Sequence, residues 1–135
     1  MIQFFIPMKS PPTVTSQEKG LDTRNGRKRI YTKYEVKAVK QMFTERLSEY
    51  APADPLLGAV RLTTKWLYPD HSGRHRDGEY KITKPDTDNT VKLFKDCMTA
   101  VGFWKDDAQV ASEHIEKFWV TTSPSGVYVR VEELP

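Results

Sequence analysis

Between Val60 and Val131 the spacing of the apolar residues changes twice, and that change restricts the chain to a mixed architecture. Val60, Leu62, Trp66 and Tyr68 alternate with Arg61, Thr63 and Lys65, the period of two that a half-buried strand requires. Val91, Phe94, Met98 and Val101 then recur every three or four residues, which sets them on one face of a helix, with Gly102 as its stop. Val110 to Thr121 returns to strand character. Pro124-Ser125-Gly126 is a turn signal, and Val127, Val129 and Val131 alternate as the last strand of a hairpin. Upstream, Ile2 to Ile6 is a run of β-formers closed by Pro7. Tyr34 to Tyr50 carries Val36, Val39, Phe43 and Leu47 at helical spacing before Pro52 and Pro55 end it. Lys9 to Thr32 and Asp70 to Lys84 follow neither period and read as long polar loops. The order strand, helix, strand, helix, strand, strand predicts an α+β fold with two main helices packed on a small mixed β-sheet.

A chain of 135 residues is long enough for one domain with its own core and too short for two ordinary ones, so residues 1–135 read as a single domain. No apolar run approaches the length needed to span a bilayer. The amino terminus has a short apolar stretch with no basic region before it, which is not a secretory signal; a cytoplasmic protein with no membrane partner is expected. Cys97 is the only cysteine, which excludes an internal disulfide and a thiolate metal site. Its position between Phe94 and Val101 marks it as a small core residue.

Net charge is only +3 but unevenly distributed: residues 1–50 hold ten Lys and Arg against five Asp and Glu, and residues 51–135 hold eleven against thirteen. The run Arg24, Arg27, Lys28, Arg29, Lys33, Lys37 and Lys40 reads either as a polyanion-binding surface or as a solvated loop and helix face. A second basic group, Arg74, Arg76, Lys81 and Lys84, lies in the loop after Asp70. His71 and His75 in that loop are four apart, a metal-ligand spacing on a helix, but Gly73 and Gly78 argue against a helix there.

Against this basic background stands an acidic cluster: Asp86 and Asp88 two positions apart, Lys92 one helical turn on, then Asp106-Asp107. Three carboxylates within ~4 Å of each other repel by on the order of 1–4 kcal/mol per pair, depending on the effective dielectric. A hard cation such as Mg2+ offsets that repulsion. Basic surface around a carboxylate-held metal points to phosphodiester hydrolysis in nucleic acid. Each acid alone has a plainer reading. Asp86 and Asp88 suit an N-cap and a first helical turn, and Asp106-Asp107 a solvated turn. Asp88, Lys92 and Asp96 suit an i, i+4 ladder worth ~0.3–0.5 kcal/mol per exposed pair. The combination within 22 residues favours the metal site.

The same residues carry a family likeness. Asp86-Thr87-Asp88-Asn89, Lys92 and Gly102-Phe103-Trp104-Lys105-Asp106-Asp107-Ala108-Gln109-Val110 resemble the RusA family of phage and prophage Holliday junction resolvases. The second element is the more specific half. The match covers roughly Tyr68 to Val120 well and extends loosely to both ends through the element order. It implies a RusA-like fold, a homodimer, Mg2+ or Mn2+ as cofactor, and paired nicks in opposed strands of a four-way DNA junction during recombination and repair. By the same resemblance Asp86, Asp88 and Asp107 are the metal-binding and catalytic carboxylates and Lys92 the catalytic lysine, while Asp106 matches an acidic neighbour. The family's compact arginine run is here spread over Arg74, Arg76, Lys81 and Lys84; these four, with Arg24, Arg27, Lys28 and Arg29, are the expected DNA contacts. Three readings stay open beside it: another metal-dependent structure-specific nuclease, a nucleotide phosphohydrolase, and a non-enzymatic nucleic-acid-binding module. The last is disfavoured because an acidic trio facing DNA without metal repels phosphate.

Overall fold

The computed structural model describes residues 1–13, 21–22, 27–28 and 31–135, with side chains in 1–13 and 34–135. Its elements run β1 (Ile2–Pro7), β2 (Leu21–Asp22), β3 (Arg27–Lys28), α1 (Tyr31–Ser48), β4 (Val60–Pro69), α2 (Thr87–Ala100), a 3-10 turn (Asp107–Gln109), β5 (Val110–Val120) and β6 (Gly126–Glu133). One mixed sheet has the order β1-β6-β4-β5, and β2 pairs with β3 separately. β5 runs parallel to β4, whereas β6 is antiparallel to both β4 and β1. The parallel pair requires a crossover, and the segment containing α2 supplies it. The observed architecture is the α+β arrangement expected, a four-stranded mixed sheet with two helices.

The expected hairpin between β5 and β6 is not formed, because β4 lies between the two strands. Composition explains the exchange. Val127, Val129 and Val131 of β6 are at most 1% exposed, and such a strand gains most from a central position between β1 and β4. β5 carries Glu113, His114, Glu116 and Lys117, charges that an edge strand tolerates and that discourage pairing with another chain.

The register Leu62↔Val131, Thr64↔Val129 and Trp66↔Val127 gathers the buried residues of β4 and β6 beneath the helices. Phe43 of α1, Phe94 of α2 and Trp66 meet edge to face, with centroids 4.9–6.2 Å apart. Contacts of this kind add about 0.5–1.5 kcal/mol per pair beyond buried area. Cys97 is fully buried in this core, as its helical phase predicts. α2 ends as its sequence suggests: Gly102 adopts φ +92°, its N–H donates to the Thr99 carbonyl, and the Phe103 N–H donates to the Met98 carbonyl, both at 3.1 Å. Among the described residues no helix is long and apolar enough to cross a membrane.

Candidate active site

Helix α2 begins at the residue after Asp86, which is its N-cap in extended conformation (φ −68°, ψ 149°). The Asp86 main-chain carbonyl accepts hydrogen bonds from the Thr90 N–H and the Thr90 Oγ1, both at 3.0 Å. Its carboxylate makes no capping hydrogen bond. An N-cap aspartate ordinarily does, at a gain of about 0.5–2 kcal/mol, so this carboxylate is left open to solvent. Thr90, Val91, Leu93 and Phe94 face the core, and the helical phase therefore leaves Asp88 and Lys92 exposed on the opposite side.

The second acidic group is delivered by residues 101–109. After Gly102 turns the chain, Phe103 and Trp104 are buried as anchors. The Leu56 N–H donates to the Phe103 carbonyl at 2.9 Å, and Trp104 Nε1 donates to Thr99 Oγ1 at 2.8 Å. Gln109 closes the segment: its Nε2 donates to the carbonyls of Leu56 and Gly58 at 2.8 and 3.0 Å, and its Oε1 accepts from the N–H groups of Lys105 and Asp106 at 2.9 and 3.1 Å. Asp106 caps the 3-10 turn, its Oδ1 accepting from the Ala108 N–H at 2.9 Å. Asp107 follows, exposed. This network is the physical content of the Gly-Phe-x-x-Asp-Asp-Ala-Gln spacing: a glycine to turn, aromatics to anchor, one acid to cap and an amide to tie the loop down.

Asp88, Lys92 and Asp107 line one cleft of about 300 Å³. Asp86, at the helix start, is not part of that lining. Lys95 and Glu113, not singled out from sequence, line it too, as does Asp96, which the sequence offered only as a rung of an ion-pair ladder. The signal for Glu113 lies in the alternation of β5, which sends Glu113, Ile115, Lys117 and Trp119 to the opposite face from Ser112, His114 and Glu116. Lys95 Nζ pairs with Glu113 Oε1 at 3.1 Å. The Asp88–Lys92–Asp96 ladder is not among the ion pairs of the described residues, and neither the Asp88 nor the Asp107 carboxylate has a hydrogen-bond partner there.

Among the described residues no three His, Cys, Asp or Glu side chains are grouped tightly enough to hold a metal ion by themselves. The donors nevertheless suit a hard divalent cation. Mg2+ is commonly held by one or two carboxylates while water and substrate phosphate complete its octahedron, and Asp88 and Asp107 offer two carboxylates to one solvent-open cleft.

The sequence matches the family model described as Endodeoxyribonuclease RusA over residues 10–132, a span that contains both helices and every residue of the cleft. The chain belongs to the RusA family. RusA proteins are endonucleases that hydrolyse DNA phosphodiester bonds and resolve Holliday junctions, and they typically use a divalent metal. No curated protein matches the chain significantly.

In this RusA protein the basic residues named from sequence divide. Arg74, Arg76 and Lys84 are exposed in the loop from β4 to α2. Asp70 and Asp77 give that loop its shape. Asp70 accepts from the Ser72 hydroxyl at 2.6 Å and from the N–H groups of Ser72 and His75, which holds its pKa near 2. Asp77 accepts from Ser123 Oγ and from the N–H groups of Thr121, Thr122 and Ser123, which holds its carboxyl well below the usual range. Residues 78–81 run along β5, tied by Gly78 N–H to Trp119 O at 2.8 Å and Lys81 N–H to Lys117 O at 2.9 Å.

Lys81 differs from its neighbours: it is 8% exposed, its Nζ lies 4.0 Å from the Trp119 ring centroid and 5.2 Å from that of Tyr68, and it donates to Thr83 Oγ1 at 2.5 Å. Burial, and then the charge of Lys117, lowers its pKa. Its side chain is a stacked interior cation rather than a surface phosphate clamp. Loop composition could not reveal this, because both rings come from strands. His75 stacks on the other ring partner, Trp119, at 4.5 Å and meets Glu79 Oε2 at 2.5 Å, so it is engaged without His71. Arg24 and Arg29 lie outside the described residues, as do the side chains of Arg27 and Lys28.

Proposed function

We propose that the cleft between α2 and the 3-10 turn is where this RusA protein hydrolyses the scissile phosphate of a four-way junction, with Mg2+ as cofactor and Mn2+ as substitute. One observation carries the reading: Asp88, Lys92 and Asp107 converge on a single cleft from two separate stretches of sequence. Asp88 and Asp107, with Asp86 at the helix start, would hold the cation. When bound, it would supply Lewis acidity toward the phosphoryl group and an attacking water. Lys92 offers its ammonium to the charge that develops on the phosphoryl group. Arg74, Arg76 and Lys84, and Arg24, Arg27, Lys28 and Arg29, hold flanking phosphates, which supply affinity with little sequence information. The chain acts as one endonuclease domain in the cytoplasm, and as a homodimer, whose two-fold axis matches the near two-fold symmetry of the junction.

The test is a nicking assay on mobile four-way junctions and on linear duplex, with Mg2+, with Mn2+ and with chelator, beside the mass in solution by light scattering. Metal-dependent nicks at symmetry-related positions on opposed strands, made by a dimer, are expected. A monomer that nicks linear duplex as fast as junctions, at unpaired positions, would reduce the function to general metal-dependent hydrolysis.

A further inference from the structure

The start of α2 bears two of the proposed metal ligands, yet its N-cap side chain does not cap. Something else holds it. On the last peptide before Asp86, the Pro85 carbonyl accepts a hydrogen bond from Lys117 Nζ at 2.6 Å, and the Thr83 carbonyl accepts another from the same ammonium at 2.7 Å. The main chain of Lys117 accepts the Lys81 N–H at 2.9 Å, so this one residue of β5 grips the incoming segment at 81, 83 and 85. We propose that Lys117 is a positioning residue, holding Asp86 and Asp88 in place through the backbone; this rests on the function proposed above.

The chemistry supports more than a turn closure. A cation beside a helix N-terminus opposes the helix dipole, and a neutral Ser or Asn cap would close the turn without that conflict. An ammonium is tolerable there because Asp86 and Asp88 are close by in sequence to balance it. Its bonds to carbonyls fix the entering chain without drawing on the Asp86 carboxylate, which makes no cap hydrogen bond and stays free for a ligand. Lys117 is half-buried and absent from the cleft lining, so it acts on the ligands and not on the phosphate.

The experiment compares Lys117→Met and Lys117→Arg with the full wild-type chain. Turnover at saturating junction, junction affinity by gel shift in Ca2+, Mn2+ affinity of the protein alone by electron paramagnetic resonance, and thermal midpoint are measured. Lys117→Met should lower both kcat and Mn2+ affinity by about 10- to 100-fold, as loss of an outer support of metal ligands does. Junction affinity should stay unchanged, and Lys117→Arg, which keeps donors for both carbonyls, should recover most of both losses. Wild-type kcat and Mn2+ affinity in Lys117→Met would overturn the proposal. So would a loss confined to junction affinity, or a rate loss accounted for by unfolding alone. If Lys117→Met does not fold, Lys117→Gln carries the same readings. Failure of the underlying function looks different: then Asp88→Asn, too, leaves Mn2+ affinity and nicking at wild-type values.

Discussion

Asp77 and Asp107 are both exposed loop aspartates, and the protein treats them in opposite ways. Both carboxylate oxygens of Asp77 are engaged: Oδ1 takes three backbone N–H groups at 2.7–3.2 Å and Oδ2 takes the Ser123 hydroxyl at 2.6 Å. Asp70 and Asp106 are engaged in the same manner, one within its loop and one as a turn cap. Asp86, Asp88 and Asp107 have no such partner among the described residues. Donors are thus supplied to acids that shape loops and withheld from these three, whereas Glu113 in the same cleft is paired with Lys95. The distinction has a chemical reason, since an N–H on a carboxylate lone pair competes with a cation for that same lone pair.

The sharpest way to break this comparison is Asp88→Asn or Asp107→Asn, each of which removes a charge and keeps the shape. Nicking should fall by more than the ~100-fold typical of outer-shell changes, with melting temperature and junction binding retained. Asp86→Asn should follow them. A variant that nicks at the wild-type rate in Mg2+ drops out of the proposed site.

Lys92→Ala comes next. Removing one preorganised donor to a charged transition state costs about 100-fold or more in rate. No ion pair of the described residues uses Lys92, so stability should not move. A depressed melting temperature with an unchanged rate per folded molecule would make the lysine structural.

Asp77→Ala should invert the pattern, lowering the melting temperature through three backbone donors left without their acceptor while the rate per folded molecule holds. Its pH dependence has a definite sign. A carboxyl whose folded pKa lies below the ordinary 3.8 stabilises the fold above that pH, and the contribution is lost as pH falls through the folded value. Acid denaturation of the wild type should therefore steepen below pH 3.8, and Asp77→Ala should flatten that loss, as read by melting temperature against pH.

What the sequence disclosed follows from range. Helices and strands were legible because their periods are local: Cys97 falls in the core and Gly102 ends α2 as their spacing requires. The strand order was not, because β6 reaches its place between β1 and β4 through partners more than fifty residues away. Lys81 looked like its loop neighbours until Tyr68 and Trp119 closed on it from two strands. Asp88, Lys92 and Asp107 were recognisable as a group, whereas Glu113 and Lys95 needed the β5 phase and the helix packing to enter the same cleft. Lys117 was invisible as a support because its partners are carbonyls, which carry no side-chain signature.

The smallest expected effect tests the comparison most closely, because it sets two neighbours with the same side chain against each other. Asp106 and Asp107 differ in sequence by one position, and their carboxylates by one hydrogen bond, the Asp106 Oδ1 acceptance of the Ala108 N–H at 2.9 Å. An asparagine oxygen accepts that bond as well as a carboxylate does, and Asn and Asp are nearly equal as caps. Asp106→Asn should therefore leave both melting temperature and nicking close to wild type, while Asp107→Asn abolishes nicking. Side-by-side nicking of one labelled junction by the two variants decides it. If both lose activity at unchanged stability, Asp106 needs its charge, and engagement by a backbone donor no longer separates loop acids from site acids in this protein.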